Sequence, residues 1–233
     1  MIACIILICI ALVLLVWYII SKCQKYDLKE LFIKTAISVL FVAVSLVATY
    51  SSGKFTLFNV FIILGLVLGL IGDILLDLKF IDLERTIGYT YAGMVSFGLG
   101  HILFITGIIS NYSKGGALYI ILAIICDVVF SFATILLEKP LKLNYGRYKK
   151  ISFGYALCLF GTLAFSFFLA LENQFSILPL NLFIVGAALF AISDLVLSGT
   201  YFGEGKERPI DFILNYITYY GAQFVIAMLL LYL

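Results

Sequence analysis

Eight apolar stretches, each about as long as a membrane is thick, decide what this chain can fold into. They lie at about residues 2–20, 31–50, 55–76, 88–109, 116–137, 150–171, 177–198 and 211–232. At 1.5 Å of rise per residue, roughly 20 apolar residues in a helix cross a hydrocarbon core about 30 Å thick. Charged residues are 12% of the chain and hydrophobic ones 64%, whereas a soluble domain carries roughly a quarter charged residues. The runs are gapless and the chain has only three prolines. Barrel strands would instead alternate over ~10 residues. The expected fold is therefore an all-α polytopic membrane protein of eight transmembrane helices. No connection is long enough for a soluble domain, so residues 1–233 are read as one membrane domain. The net charge of +2 is too small and too dispersed for a nucleic-acid reader.

The basic residues support the helix count. Connections one, three, five and seven hold Lys22, Lys25, Lys29, Lys34, Lys79, Arg85, Lys139, Lys142, Arg147, Lys149, Lys150, Lys206 and Arg208. Connections two, four and six hold only Lys54 and Lys114. An excess of Lys and Arg marks the cytoplasmic side, so the odd connections are expected there and both termini outside. The first run has no basic residue before it and Lys22 and Lys25 after it, the reverse of a secretory signal. It reads as a retained helix. With no cleavable signal or long tail, a bacterial plasma membrane is the expected location.

Most of the cysteines fall inside apolar runs and none forms a C-x-x-C pair, so they read as small buried residues. A weak internal repeat is visible as well. Gly72-Asp73-Ile74-Leu75-Leu76 resembles Ser193-Asp194-Leu195-Val196-Leu197, and Phe97-Gly98-Leu99-Gly100-His101 resembles Tyr219-Tyr220-Gly221-Ala222-Gln223. Two four-helix halves running in the same direction, as in some transporters, would give this pattern.

An ionisable side chain inside a membrane helix costs about 2.5–3.5 kcal/mol on insertion scales and marks a candidate site. Asp73, His101, Asp127 and Asp194 qualify, with Gln223 as an uncharged companion. Asp73 and Asp194 take equivalent places in the two halves, each about 9–12 Å to the cytoplasmic side of its helix centre. They are either a pair of site carboxylates or interfacial anchors. Asp77 falls one turn beyond Asp73, on the same helix face or in solvent. His101 is the only histidine, which disfavours a metal site; it either lines a pocket or is a hydrogen-bonded core group. Asp127 has no counterpart in the other half and reads as an interhelical hydrogen-bonding group or a proton site. Tyr216, Tyr219 and Gln223 form one stripe of the last helix, for packing or for a pocket wall. Gly65, Gly69, Gly72, Gly93, Gly98 and Gly100 let helices approach closely.

In order and spacing, Gly72-Asp73-x-x-Leu76, Ser96-Phe97-x-x-Gly100-His101, Ser193-Asp194 and Tyr219-Tyr220-x-Ala222-Gln223 resemble the lysoplasmalogenase (YhhN-like) membrane family, over most of the chain. The resemblance implies hydrolysis of the vinyl ether bond of a lysophospholipid, the lysoplasmalogen, to a fatty aldehyde and a glycerophospho-alcohol. Asp73 and Asp194 would be its catalytic residues. The connection over residues 199–208, glycine-rich and charged, departs from the family pattern and bears on head-group recognition.

The residues fit that chemistry on their own terms. A vinyl ether is cleaved by protonating its β-carbon, and water captures the resulting oxocarbenium ion. One group must still hold a proton near neutral pH, and an anion must face the cation, as in the two-carboxylate glycosidases. Neither a metal nor another cofactor is called for. His101, Asp77, Tyr216, Tyr219 and Gln223 are expected to line the cavity. Arg85, Lys206 and Arg208 are expected to meet the lipid phosphate at its mouth. The competing readings are a proton-coupled carrier and a lipid-binding membrane protein without catalysis. Against the carrier, the helices lack proline interruptions and the paired carboxylates sit off the midplane.

Overall fold

The computed structural model describes residues 1–22, 28–203 and 208–233. The helices are α1 (Ile2–Lys22), α2 (Leu28–Ser52), α3 (Leu57–Leu78), α4 (Thr86–Tyr112), α5 (Ala117–Leu136), α6 (Lys149–Glu172), α7 (Leu178–Phe202) and α8 (Pro209–Met228). Among the described residues, eight helices are long and apolar enough to cross a membrane, and no strand is formed beyond an isolated bridge between Leu143 and Gly203.

Local chemistry sets the helix ends. Thr56 and Asn59 make a reciprocal capping box that starts α3, satisfying amide groups that lack a partner in a first turn. Pro179 and Pro209 fall in the first turns of α7 and α8, where a missing N–H costs nothing. No proline interrupts a helix interior. Gly53, with φ +67°, closes the end of α2, a left-handed conformation that glycine adopts without strain.

Helix neighbours repeat with a shift of four. The pairings α1·α2, α2·α3, α3·α4 and α4·α6 recur as α5·α6, α6·α7, α7·α8 and α8·α2. Two four-helix halves related in this way meet through α4 and α6 on one side and through α8 and α2 on the other. In the α8 span 67% of the residues are buried, against 11% in the α5 span. The exposed side of α5, with Ile121, Ile125, Val128, Val129 and Phe132, is apolar, as a lipid-facing surface must be.

The α3–α4 contact depends on glycine. A Cβ on Gly72 would lie 2.6 Å from the Phe97 ring, and one on Gly93 would lie 2.6 Å from Leu76. A Cβ on Gly100 would stand 3.0 Å from the backbone oxygen of Gly65. These distances are below van der Waals contact, so only glycine permits the approach. Ser96 Oγ then donates to the Leu68 carbonyl at 2.7 Å.

The structure corrects one assignment. Lys34, counted from sequence with the first connection, lies inside α2 and is only 6% exposed. Its ammonium points at α3 rather than into a loop.

Candidate active site

Stripes from three helices converge on Asp73. Helical spacing puts Lys34 and Ser38 on one face of α2 and Asp73 and Asp77 on one face of α3. α8 adds Tyr216, Tyr219, Tyr220 and Gln223. Asp73 Oδ2 accepts from Ser38 Oγ at 2.6 Å and from the Tyr219 hydroxyl at 2.7 Å. Asp73 Oδ1 lies 3.3 Å from Lys34 Nζ, which also donates to Asp77 Oδ1 at 2.8 Å. Gln223 Nε2 donates to the Tyr219 hydroxyl at 3.0 Å and so orients the group that holds Asp73. Asp73 and Asp77 are 3% and 2% exposed. Charges this deep persist only when paired and hydrogen-bonded.

Asp194 comes from the other half. Tyr155 of α6 donates its hydroxyl to Asp194 Oδ2. Beside Asp194, Ser193 and Asn215 latch α7 to α8, with Asn215 Nδ2 donating to the Ser193 carbonyl and to its Oγ, both at 2.9 Å.

Both carboxyl groups line one cavity, of about 130 Å³. Its walls include Phe97, Phe160, Phe190, Leu159, Leu197 and Met94, together with Lys34, Tyr155, Tyr216 and Tyr219. The interior is thus an apolar chamber in which two carboxyl groups, one ammonium and a few hydroxyl groups are exposed. A second cavity, of about 730 Å³, reaches the end of the bundle at the α3–α4 connection and the start of α8. Thr90, Leu197, Tyr201, Phe202, Asn215 and Tyr216 line both, so the two chambers share a wall. Lys79 and Arg208 belong to the outer one.

The expected site residues therefore do not all meet. Asp73, Asp194, Tyr216 and Tyr219 face the inner cavity. Asp77, His101 and Gln223 stand behind its wall. His101 Nδ1 lies 3.0 Å from Thr162 Oγ1, and the ring packs edge-on against Phe190, Phe104 and Tyr155. His101 Nε2 has no hydrogen-bond partner among the described residues. Arg208 lines the outer cavity but is forked onto Asp211 at 2.7 and 2.8 Å. Arg85 is 78% exposed, near Asp82, and lines neither cavity. Lys206 lies outside the described residues. Asp127 is remote from this cluster: it accepts from Ser131 at 3.1 Å and faces Gly161 of α6. Among the described residues no three His, Cys, Asp or Glu side chains converge as a metal would require.

Sequence reasoning missed Lys34, Ser38 and Tyr155. For Lys34 a signal existed, a lysine inside an apolar run with a serine one turn on. Tyr155 is one tyrosine among 15 and carried none.

The α5–α6 connection covers this end of the bundle. Tyr145, which lines the inner cavity, donates its backbone N–H to Glu138 Oε1 at 3.1 Å, and Lys149 Nζ reaches Glu138 Oε2 at 2.5 Å. Asn144 N–H donates to the Phe202 carbonyl at 2.7 Å. The Lys149 hydrogen bond, then the Tyr145 N–H, hold the Glu138 carboxyl below its ordinary range. For a depressed carboxylate, the stabilisation is present above the unfolded-state pKa and is lost as pH falls through the folded one. The clasp is therefore intact at neutral pH and opens in acid. Glu138→Gln is expected to speed amide hydrogen exchange over residues 138–149 at pH 7 and to leave α3 and α4 unchanged. Identical exchange in the variant would show that this ion pair holds nothing in place.

The sequence profile of the YhhN family matches residues 29–230. The chain belongs to that family, which includes lysoplasmalogenases. No curated protein and no solved structure matches it.

Proposed function

With the chain placed in the YhhN family, we propose that it is a membrane hydrolase that cleaves the vinyl ether bond of a lysoplasmalogen. The observation that supports this reading is the opening of Asp73 and Asp194, from the two halves of the bundle, into one apolar cavity. In the reaction one carboxyl group gives its proton to the β-carbon of the vinyl ether, and the double-bond electrons form the new C–H bond. The α-carbon becomes an oxocarbenium ion, which the other carboxylate stabilises across the cavity. Water adds to that carbon and returns a proton to the donor carboxylate. The hemiacetal then collapses: its C–O bond to the glycerol breaks, its O–H proton passes to the glycerol oxygen, and a fatty aldehyde leaves.

The two cavities suit an amphiphile. The inner walls take an alkenyl chain, and the outer chamber, with Lys79 and Arg208, takes a phosphate-bearing head group. On the charge pattern of the connections, that outer end faces the cytoplasm.

Purified protein in detergent, incubated with a lysoplasmalogen, is expected to release fatty aldehyde, and a saturated-ether lysolipid is expected to give none. Run in deuterium oxide, the reaction should place one deuterium on the aldehyde carbon next to the carbonyl, as β-carbon protonation requires. Uptake of solute by proteoliposomes with no aldehyde from either lipid would replace this reading with a carrier.

A further inference from the structure

Asp73 and Asp194 hold matching places in α3 and α7, yet they are met by different chemistry. In each half the helix before the aspartate supplies its partner. α2 brings Lys34 and Ser38 to Asp73, and its counterpart α6 brings Tyr155 to Asp194. α8 gives Asp73 a further donor, Tyr219. The groups facing Asp73 are thus Lys34 and Ser38 from α2, Asp77 one turn along α3, and Tyr219 from α8, with Tyr220 beside Ser38 at 3.3 Å. Among the described residues, those beside Asp194 are Tyr155 from α6, its own neighbour Ser193, Tyr201 further along α7 and Asn215 from α8, with Asp73 in the same cavity. None of these is a cation.

Three donors, one of them an ammonium, point at both oxygens of Asp73, and hydrogen bonds to the charged form favour that form. One phenol reaches Asp194. Lys34 is buried and anchored on its far side by Asp77 at 2.8 Å, so its ammonium cannot swing into water.

We infer that Lys34 is a positioning residue that splits the work of the two carboxyl groups, holding Asp73 as the carboxylate facing the oxocarbenium ion and leaving Asp194 as the proton donor. This rests on the hydrolase reading and deepens it. Proton traffic then involves Asp194 alone, which gives a proton to the β-carbon and recovers one from the attacking water. Asp73 stays ionised throughout. Asp77 is the counter-ion that fixes Lys34, not part of the cavity wall.

Infrared difference spectra of purified protein without substrate test the assignment directly. The C=O stretch of a protonated carboxyl group should disappear in Asp194→Asn and persist in Asp73→Asn. Lys34→Met should gain a second such band, because Asp73 loses its cation, and Lys34→Arg should not. If Lys34→Met does not fold, Lys34→Met combined with Asp77→Asn removes one charge of each sign and should show the same gain. In that double variant kcat for aldehyde release should fall at least about tenfold with KM little changed, the signature of an interaction made in the transition state. Loss of the band in Asp73→Asn instead, or no gain in the folded Lys34 variants, overturns the assignment. Absence of aldehyde from the wild-type protein would instead overturn the hydrolase reading, and the infrared result would still stand.

Discussion

Asp73→Asn and Asp194→Asn are each expected to lower aldehyde release about 100-fold or more, the range that a positioned acid or base contributes. Asparagine keeps the shape of the side chain but neither donates an acidic proton nor carries an anion. At Asp194 it can still accept from Tyr155, and at Asp73 from Ser38 and Tyr219, so packing is preserved. Asp73→Asn also leaves Lys34 paired with Asp77 alone, one cation to one anion. Neither variant buries an unpaired charge, which would cost several kcal/mol. Both should therefore elute and melt like the wild type, and the activity loss can be read as chemistry. The double variant should be no worse than the weaker single one, because groups that act as a unit are non-additive.

Gly72→Val is expected to destabilise the α3–α4 contact. A first carbon already falls 2.6 Å from the Phe97 ring, and that ring is held edge-on by Phe190 and Tyr219. Overpacking of a well-filled core costs about 1–3 kcal/mol. The helix propensity gained on leaving glycine, about 0.5–1 kcal/mol at most, does not offset it. Displacing Phe97 also moves Tyr219 from Asp73, so thermal stability in detergent and turnover should fall together. Gly154→Ala, where nothing lies within 4 Å, should be neutral or stabilising. Equal melting temperatures for the Gly72 and Gly154 variants would show that the helices slide apart at little cost.

The two aspartates were legible from sequence because lipid excludes charge, so a carboxylate in a run such as Leu57–Leu78 stands out without any coordinates. Their separate partners were not. Lys34 sits two turns into α2. At that depth a lysine that snorkels to the interface and one that turns inward leave the same trace in hydropathy. Only the positions of α3 and α8 decide between them. Arg85 shows the converse: a cation near the expected mouth points to solvent beside Asp82. His101 and Gln223 occupy corresponding places in the repeat, and each stands one side chain behind the cavity. That layer comes from helix rotation, which an apolar run does not encode. The repeat itself could be read because it left residues in register, and the recurrence of helix neighbours four apart gives it a spatial meaning.

The most direct measurement is aldehyde formation from a lysoplasmalogen by wild-type protein and by the Asp73→Asn, Asp194→Asn double variant, purified in parallel and matched for folded fraction. Steady release by the first and release at least about 100-fold slower by the second is the expected result. Equal release by both, or none by either while the lipid still binds, would contradict a two-carboxylate hydrolase.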